Sequence, residues 1–184
     1  MIIPSQELCI VPLEKGHNLS SFSSSNEDLN DFLHNDASKS QDDLISRTYL
    51  CFWHVHLAGF FTLVTDTIEV KFVDQEDGID DYNYQKYPAI KIARMAVDEK
   101  LSGAGVGRYL LLAAVGKVHH LSLEVGCRYI TVDSKREAVG FYEKNGFKII
   151  KKYENRNFPP MYLNMYPIIK RIEQKKMKLW RWSI

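Results

Sequence analysis

Ala93-Arg94-Met95-Ala96-Val97-Asp98-Glu99-Lys100-Leu101-Ser102-Gly103-Ala104-Gly105-Val106-Gly107-Arg108 is the stretch on which the reading of this chain turns. It begins inside an apolar run, Ala89–Val97, whose Ile, Met and Val content predicts a buried strand. It ends with glycine at 103, 105 and 107, and from Val106 onward Leu110, Ala113, Ala114, Val118 and Leu121 recur at helical spacing. A strand therefore passes through a glycine-rich turn, Leu101–Gly107, straight into an amphipathic helix. Glycine accepts positive φ and lets a backbone approach a ligand closely. The amides of Gly103, Ala104, Gly105, Val106, Gly107 and Arg108 can then converge on one anion, with the positive end of the helix dipole behind them. A phosphate or pyrophosphate is the natural ligand, although a ligand-free glycine turn has the same letters. Two familiar phosphate frames fit poorly. The dinucleotide fingerprint needs a G-x-G-x-x-G register, and the P-loop needs Lys-[Ser/Thr] where Arg108-Tyr109 follows Gly107.

Outward from this stretch, the pattern yields a series of elements. Glu7–Leu13 reads as a strand. Ser24 and Glu27 have capping-box spacing, so a helix should start there, with Leu29, Phe32, Leu33 and Ala37 on its apolar face. Arg47–His54 and Leu57–Thr65 read as a hairpin through His54-Val55-His56. Ile68–Tyr87 holds Asp74, Glu76, Asp77, Asp80 and Asp81, and reads as an acidic, exposed excursion without a core pattern. Beyond the helix come a strand at Arg128–Val132, a helix at Glu137–Asn145 closed by Gly146, and strands at Phe147–Ile150 and Met161–Tyr166. Pro167 can open a final helix carrying Ile168, Ile172 and Leu179. The fold class is α/β or α+β, a mixed sheet with helices packed on it. No linker divides the chain, so residues 1–166 read as one domain and 167–184 as a basic amphipathic helix that belongs to it or to an interface.

Composition narrows the functions. The chain has 184 residues, with 24 Lys and Arg against 23 Asp and Glu, a formal net charge of +1. That excludes a globally basic nucleic-acid binder but not a local basic patch. Cys9, Cys51 and Cys127 are odd in number and form no CxxC, and no histidine sits in an HExxH frame, so neither a disulfide framework nor a metal is expected. The first ten residues include Glu7 and no long apolar run, which predicts a reducing, cytoplasmic location. The apolar stretches at Leu57–Val64 and Tyr109–Val115 fall short of the roughly 20 residues that cross a bilayer, so no membrane association is expected.

A second motif chooses among the readings of the loop. Ala138-Val139-Gly140-Phe141-Tyr142-Glu143-Lys144-Asn145-Gly146-Phe147 has the form A-x-x-F-Y-x-x-x-G-F. Together with Val97–Leu111, whose Gly105 and Gly107 fit the last two fixed positions of [Gln/Arg]-x-x-Gly-x-[Gly/Ala], it resembles the GNAT superfamily of acetyl-CoA-dependent N-acetyltransferases. The resemblance in element order spans residues 7 to 166. It implies a mostly antiparallel sheet of about seven strands, flanked by helices, in which the strand ending at Val97 splays from the one at Arg128–Val132. Acetyl-CoA is the implied cosubstrate. Its pantetheine arm would pair with main-chain groups of Met95 and Val97 like an added strand. Its pyrophosphate would rest on amides 103–108, and a main-chain amide around Ala96 and Val97 would polarise the thioester oxygen. Tyr142 is the implied general acid, a phenol with reference pKa about 10 protonating the leaving thiolate. Acetyl transfer would be direct attack by a primary amine. Two positions depart from the pattern. Ser102 stands where the motif has Gln or Arg, removing one side-chain contact but not the amide cradle. Lys135, beside Ser134, stands where an Asn is frequent and could meet a CoA phosphate. No general base is legible; Asp98, Glu69 and Asp66 are the candidates.

The N-terminal half looks like a narrower group, the toxin branch of toxin–antitoxin modules that acetylates the amino group of aminoacyl-tRNA. The matching pieces are Phe22–Leu33, Ser46-Arg47-Thr48-Tyr49, Leu57–Leu63 and Ile92–Asp98. This resemblance implies tRNA as acceptor, an antitoxin partner and a toxin-like role, with a homodimer as a further expectation. A small amine, a polyamine or a protein amine is the runner-up acceptor, and a non-catalytic CoA-binding module the rival class. RNA phosphates would need local cations. Arg47, Arg94, Lys135, Arg136, Lys151, Lys152 and Arg156 are available, as are Lys170, Arg171, Lys175, Lys176, Lys178 and Arg181 in the terminal segment. Trp180 and Trp182 there could stack on bases, or the segment could dock on the domain or on a second subunit.

Overall fold

The structure is a computed structural model that describes residues 2–181, with side chains as far as Lys175. Trp182 therefore lies outside the described residues, as do the side chains of Lys176, Lys178, Leu179, Trp180 and Arg181. The strands are β1 (Leu8–Pro12), β2 (Arg47–Trp53), β3 (His56–Glu69), β4 (Lys86–Val97), β5 (Tyr129–Asp133), β6 (Lys148–Ile149) and β7 (Pro160–Asn164). The helices are α1 (Glu27–Asp31), α2 (Ala37–Asp42), α3 (Val106–Ser122), α4 (Val139–Lys144) and α5 (Tyr166–Arg181). The strands form one sheet in the order β1-β2-β3-β4-β5-β7-β6. The β1–β2, β2–β3, β5–β7 and β6–β7 pairs are antiparallel, and β4–β5 is parallel. A parallel pair needs a long crossover, and the glycine turn with α3 supplies it. The β4–β5 ladder covers only Ala89–Lys91 against Tyr129–Thr131, while β4 runs on to Val97 and β5 to Asp133. No helix among the described residues is long and apolar enough to cross a membrane.

Contacts group the chain into two compact units, each made of separate segments. One runs up to Thr65 and resumes over Ile92–Lys117; the other comprises Asp66–Lys91 and the chain from Val118 onward. In the first unit, Phe32 and Leu33 of the π-helical turn joining α1 to α2, with Ala37 of α2, pack with Leu13, Leu50, Leu57, Phe60 and Ala96 and seal the sheet. The β2–β3 register sets Thr48 opposite Thr62, and their buried hydroxyls bond at 2.8 Å. In the second unit, Ile68, Tyr87, Ala89, Tyr129, Ile150 and Tyr162 form the core.

Two local expectations need correction. The first helix is capped not by Ser24 but by Asn26, whose side-chain oxygen accepts from the Leu29 amide. Ser24 is unavailable because its amide and hydroxyl both bond the Asn30 side-chain oxygen at 2.8 Å. The acidic segment is not a bare exposed loop. Ile68 and Tyr87 at its ends are 3% and 1% exposed, core residues both. Asp77 in its middle accepts from Tyr162 Oη at 3.1 Å, from Asn164 Nδ2 at 3.2 Å and from Lys148 at 2.8 Å. Its carbonyl also accepts from Tyr129 Oη at 2.6 Å. The aromatic and amide partners come from strands far along the chain, which is why no local pattern announced them.

Candidate functional site

In the first unit the glycine loop is anchored before it opens. The Asp98 amide donates to Ala58 O at 2.9 Å, tying the end of β4 to β3. The Asp98 carboxylate, 6% exposed, accepts from the Ser23 and Lys100 amides, both at 3.1 Å. It caps the 3₁₀ turn Glu99–Leu101, so it is a structural anchor and not a free base. Gly103 and Gly105 then take φ of +74° and +88°, which side-chain-bearing residues avoid. Ala104 is the exception among the six expected donors. Its amide bonds Leu101 O at 3.1 Å and its carbonyl accepts from Ile3, so the turn itself uses it. The first helical bond of α3 is Tyr109 N–H to Gly105 O at 3.2 Å. The amides of Val106, Gly107 and Arg108 precede that bond and are the open donors that every helix start carries. An anion placed there meets these donors and the helix dipole together. Ser102 is exposed at the mouth of the turn, as is Arg108.

The direction of β4 matters equally. The Asp98 N–H points to β3, and Ala96 O lies 2.7 Å from where a Cβ on Gly59 would stand, so residues 96 and 98 direct their main-chain groups toward β3. Main-chain groups alternate along a strand. Those of Met95 and Val97 therefore face the opposite edge of β4, the orientation an added extended ligand requires.

In the second unit Tyr142 sits on α4. Of the adjacent pair it is the buried member, 6% exposed, while Phe141 is half-buried. Its ring meets Phe141 and Phe147 edge-on, with centroids 5.2 and 5.3 Å away. Burial pushes its phenol up to about 12. The Gly-Phe end of the motif holds it there. The Phe147 amide bonds Tyr142 O at 3.1 Å and the Gly146 amide bonds Glu143 O at 2.9 Å, with Gly146 at φ +89°. This is a Schellman cap. Ser134 is 1% exposed; its hydroxyl donates to Lys135 O at 2.8 Å and its amide to Pro159 O at 3.1 Å. Lys135 is half-buried.

The remaining candidates find other partners. Asp66 accepts from the Thr131 hydroxyl at 2.5 Å and from the Thr67 amide at 2.8 Å, and Glu69 pairs with Lys71 at 2.6 Å. Burial pushes the Cys127 thiol up to about 11 and the Cys51 thiol to about 12, so neither supplies thiolate near neutral pH. Arg94 stacks on the Phe32 ring at 3.9 Å, a structural use within the first unit. Among the described residues, Asp74, Glu76 and Asp77 have metal-ligand spacing, but the Lys148 ammonium already lies 3.6, 2.5 and 2.8 Å from their carboxylates.

Comparison with known proteins identifies the family and the fold. Residues 57–149 match the acetyltransferase (GNAT) domain. A tRNA-acetylating toxin of Mycobacterium tuberculosis is 30% identical over 132 residues, 71% of this chain and 78% of that protein. Among solved structures, AtaT complexed with acetyl-methionyl-tRNAfMet has a TM-score of 0.78 at 23% identity, over 88% of this chain and 96% of that one. AtaTR bound with AcCoA has a TM-score of 0.73 at 24% identity, over 92% and 98% of the two chains. At these identities the two structures bear on the fold.

Proposed function

The chain belongs to the GNAT acetyltransferase family, and from that premise we propose that it transfers the acetyl group of acetyl-CoA to the α-amino group of an aminoacyl-tRNA. The observation that carries the acceptor is the 30% identity to a tRNA-acetylating toxin across 71% of the chain. The cosubstrate reading is supported by the amides of Gly103, Gly105, Val106, Gly107 and Arg108, a cradle suited to a pyrophosphate. The main-chain groups of Met95 and Val97, directed away from β3, would line the pantetheine.

The amine nitrogen attacks the thioester carbon; the N–C bond forms, the C–S bond breaks, and the departing thiolate takes the proton of the Tyr142 hydroxyl. A phenol near 12 is a weaker acid than the thiol it forms, so the proton transfer by itself runs uphill and must be coupled to cleavage of the C–S bond. The substrate ammonium loses one proton to solvent before attack, since Asp98 is engaged by two backbone amides, and the second proton, released from nitrogen as the amide forms, passes through solvent to restore the Tyr142 hydroxyl. Holding both substrates in line supplies much of the rate. An antitoxin partner and a toxin-like role follow from the same likeness. The free Cys9, Cys51 and Cys127 fit a reducing cytoplasm.

The test is acetyl transfer to a panel of purified aminoacyl-tRNAs, read as N-acetyl-aminoacyl ester. Acetylation of at least one charged tRNA, and of none after deacylation, is the expected result. Efficient acetylation of a peptide or small amine with no charged tRNA modified would overturn the acceptor.

A further inference from the structure

A cavity of about 290 Å³ lies wholly within the second unit, walled by parts of residues 66–91 and 131–161. Its floor is polar. Asp66 holds the Thr131 hydroxyl, and Asp133 pairs with Lys91 at 2.5 Å. Its rim is aromatic and cationic. Phe72 and Tyr153 meet edge-on with centroids 5.1 Å apart. Arg156 lies over the Tyr153 ring at 3.9 Å. Lys152 stands 5.3 Å from the Phe72 centroid and 5.5 Å from that of Tyr153. Lys86 lines the same wall.

How these cations are held matters. Lys71 is matched to Glu69, and Lys148 to the acidic segment, so their charge is answered inside the protein. Among the described residues, Lys152 and Arg156 rest on aromatic faces and, with Lys86, make no ion pair. A ring orders a cation without neutralising it. The Glu69 carboxyl sits below its usual range through its hydrogen bond from Lys71, and the charges of Lys86 and Lys152 add to that, as their clustering requires.

We infer that this cavity and its rim are the subsite for the single-stranded 3′ end of the RNA acceptor. Lys86, Lys152 and Arg156 take backbone phosphates, the Phe72–Tyr153 pair takes a base, and Asp66 faces that base's exocyclic amino group. The inference rests on the reading of aminoacyl-tRNA as acceptor. Aromatic faces interleaved with cations suit unstacked nucleotides, whose backbone and bases are both exposed. A cavity of 290 Å³ is at the small end of ligand pockets, room for a terminal nucleotide but not for a duplex. Asp133 is matched to Lys91, which leaves the Asp66 carboxylate to repel phosphate and to accept the N–H of cytosine or adenine. The same floor disfavours an acidic peptide, the other polyanion such a rim could attract.

The test compares the full chain with its Lys152→Ala, Arg156→Ala and Tyr153→Ala variants, using Lys15→Ala as a charge-matched control far along the sequence. Steady-state acetylation of a charged tRNA is followed across a salt series, with thermal unfolding in acetyl-CoA as the folding check. Each lysine or arginine substitution should raise KM about 3–10-fold with kcat nearly unchanged, and lower the salt slope by about 0.7. Tyr153→Ala should raise KM about tenfold, the scale of one lost base stack. The acetyl-CoA response should persist throughout. Unchanged KM and salt slope in Lys152→Ala and Arg156→Ala, both exposed and safe to fold, overturn the subsite alone. Failure of the unaltered chain to acetylate any charged tRNA overturns the acceptor reading and the subsite with it. Loss of binding to polyglutamate with KM for tRNA unchanged identifies a protein-binding rim and also overturns the inference.

Discussion

Tyr142 illustrates how burial suits a residue to one protonation state. Its phenol, pushed up to about 12, keeps its proton throughout the pH range in which the fold is expected to work. The competent acid form is complete below that value and declines only above it. We therefore expect no loss of kcat assignable to this group below about pH 11, measured as a pH–rate profile. Tyr142→Phe removes the proton and keeps the ring contacts with Phe141 and Phe147, so kcat should fall about 10²-fold. The stabilisation by acetyl-CoA should remain; unchanged turnover would remove Tyr142 from the mechanism. Gly59 is a residue of another kind. A Cβ there would stand 2.7 Å from Ala96 O and 2.8 Å from Leu110 Cδ1, against backbone on one side and α3 on the other. Gly59→Ala should cost about 1–3 kcal/mol by denaturant unfolding. Its role is close packing of β3, β4 and α3, which no spacing in the sequence pointed out.

At the scale of elements, the two recognisable motifs are backbone devices. The Gly146-Phe147 end closes α4 with a Schellman cap, and the Phe147 ring braces Tyr142. Gly146→Ala forces a Cβ onto φ +89° and should cost about 1–2 kcal/mol, with kcat falling because Tyr142, the proposed acid, is displaced. A melting curve and a turnover assay separate the two effects. The acidic segment is an element held by a network. Burial works against the Asp77 charge, but hydrogen bonds from Lys148, Asn164 and Tyr162 hold its carboxyl below the ordinary 3.8. A depressed folded pKa stabilises the fold above the unfolded value, and that stability drains as pH falls through the folded one. Asp77→Asn should therefore destabilise the chain by about 1–3 kcal/mol at neutral pH. Below about pH 4 the difference should shrink, as read from urea midpoints across pH.

For the whole molecule the decisive property is selective ligand binding. At ligand about 100 times Kd, linkage adds about 2.7 kcal/mol. For a chain of this length that raises Tm by roughly 5–10 °C. Acetyl-CoA and CoA should produce this shift, and NAD and ATP should not; a larger shift with NAD would favour a dinucleotide protein. The strand–glycine turn–helix run and the F-Y-x-x-x-G-F segment were legible from sequence because each is a local backbone structure. Glycine where φ is positive and apolar residues at a fixed period are properties of neighbouring residues. So the sequence alone determined the order of elements, the glycine turn ahead of α3 and the place of Tyr142 on its helix. It also named Lys152 and Arg156 as cations, but not what they rest on. Only the tertiary structure decided that Ala104 withholds its amide, that Asp98 is an anchor, and that Asn26 rather than Ser24 caps the first helix. It alone joined Asp77 to Tyr162, 85 residues apart, and Phe72 to Tyr153 at a cavity mouth. Hydrogen bonds and ring contacts of this kind depend on distance in space, and strand order sets that distance where spacing along the chain carries no trace of it.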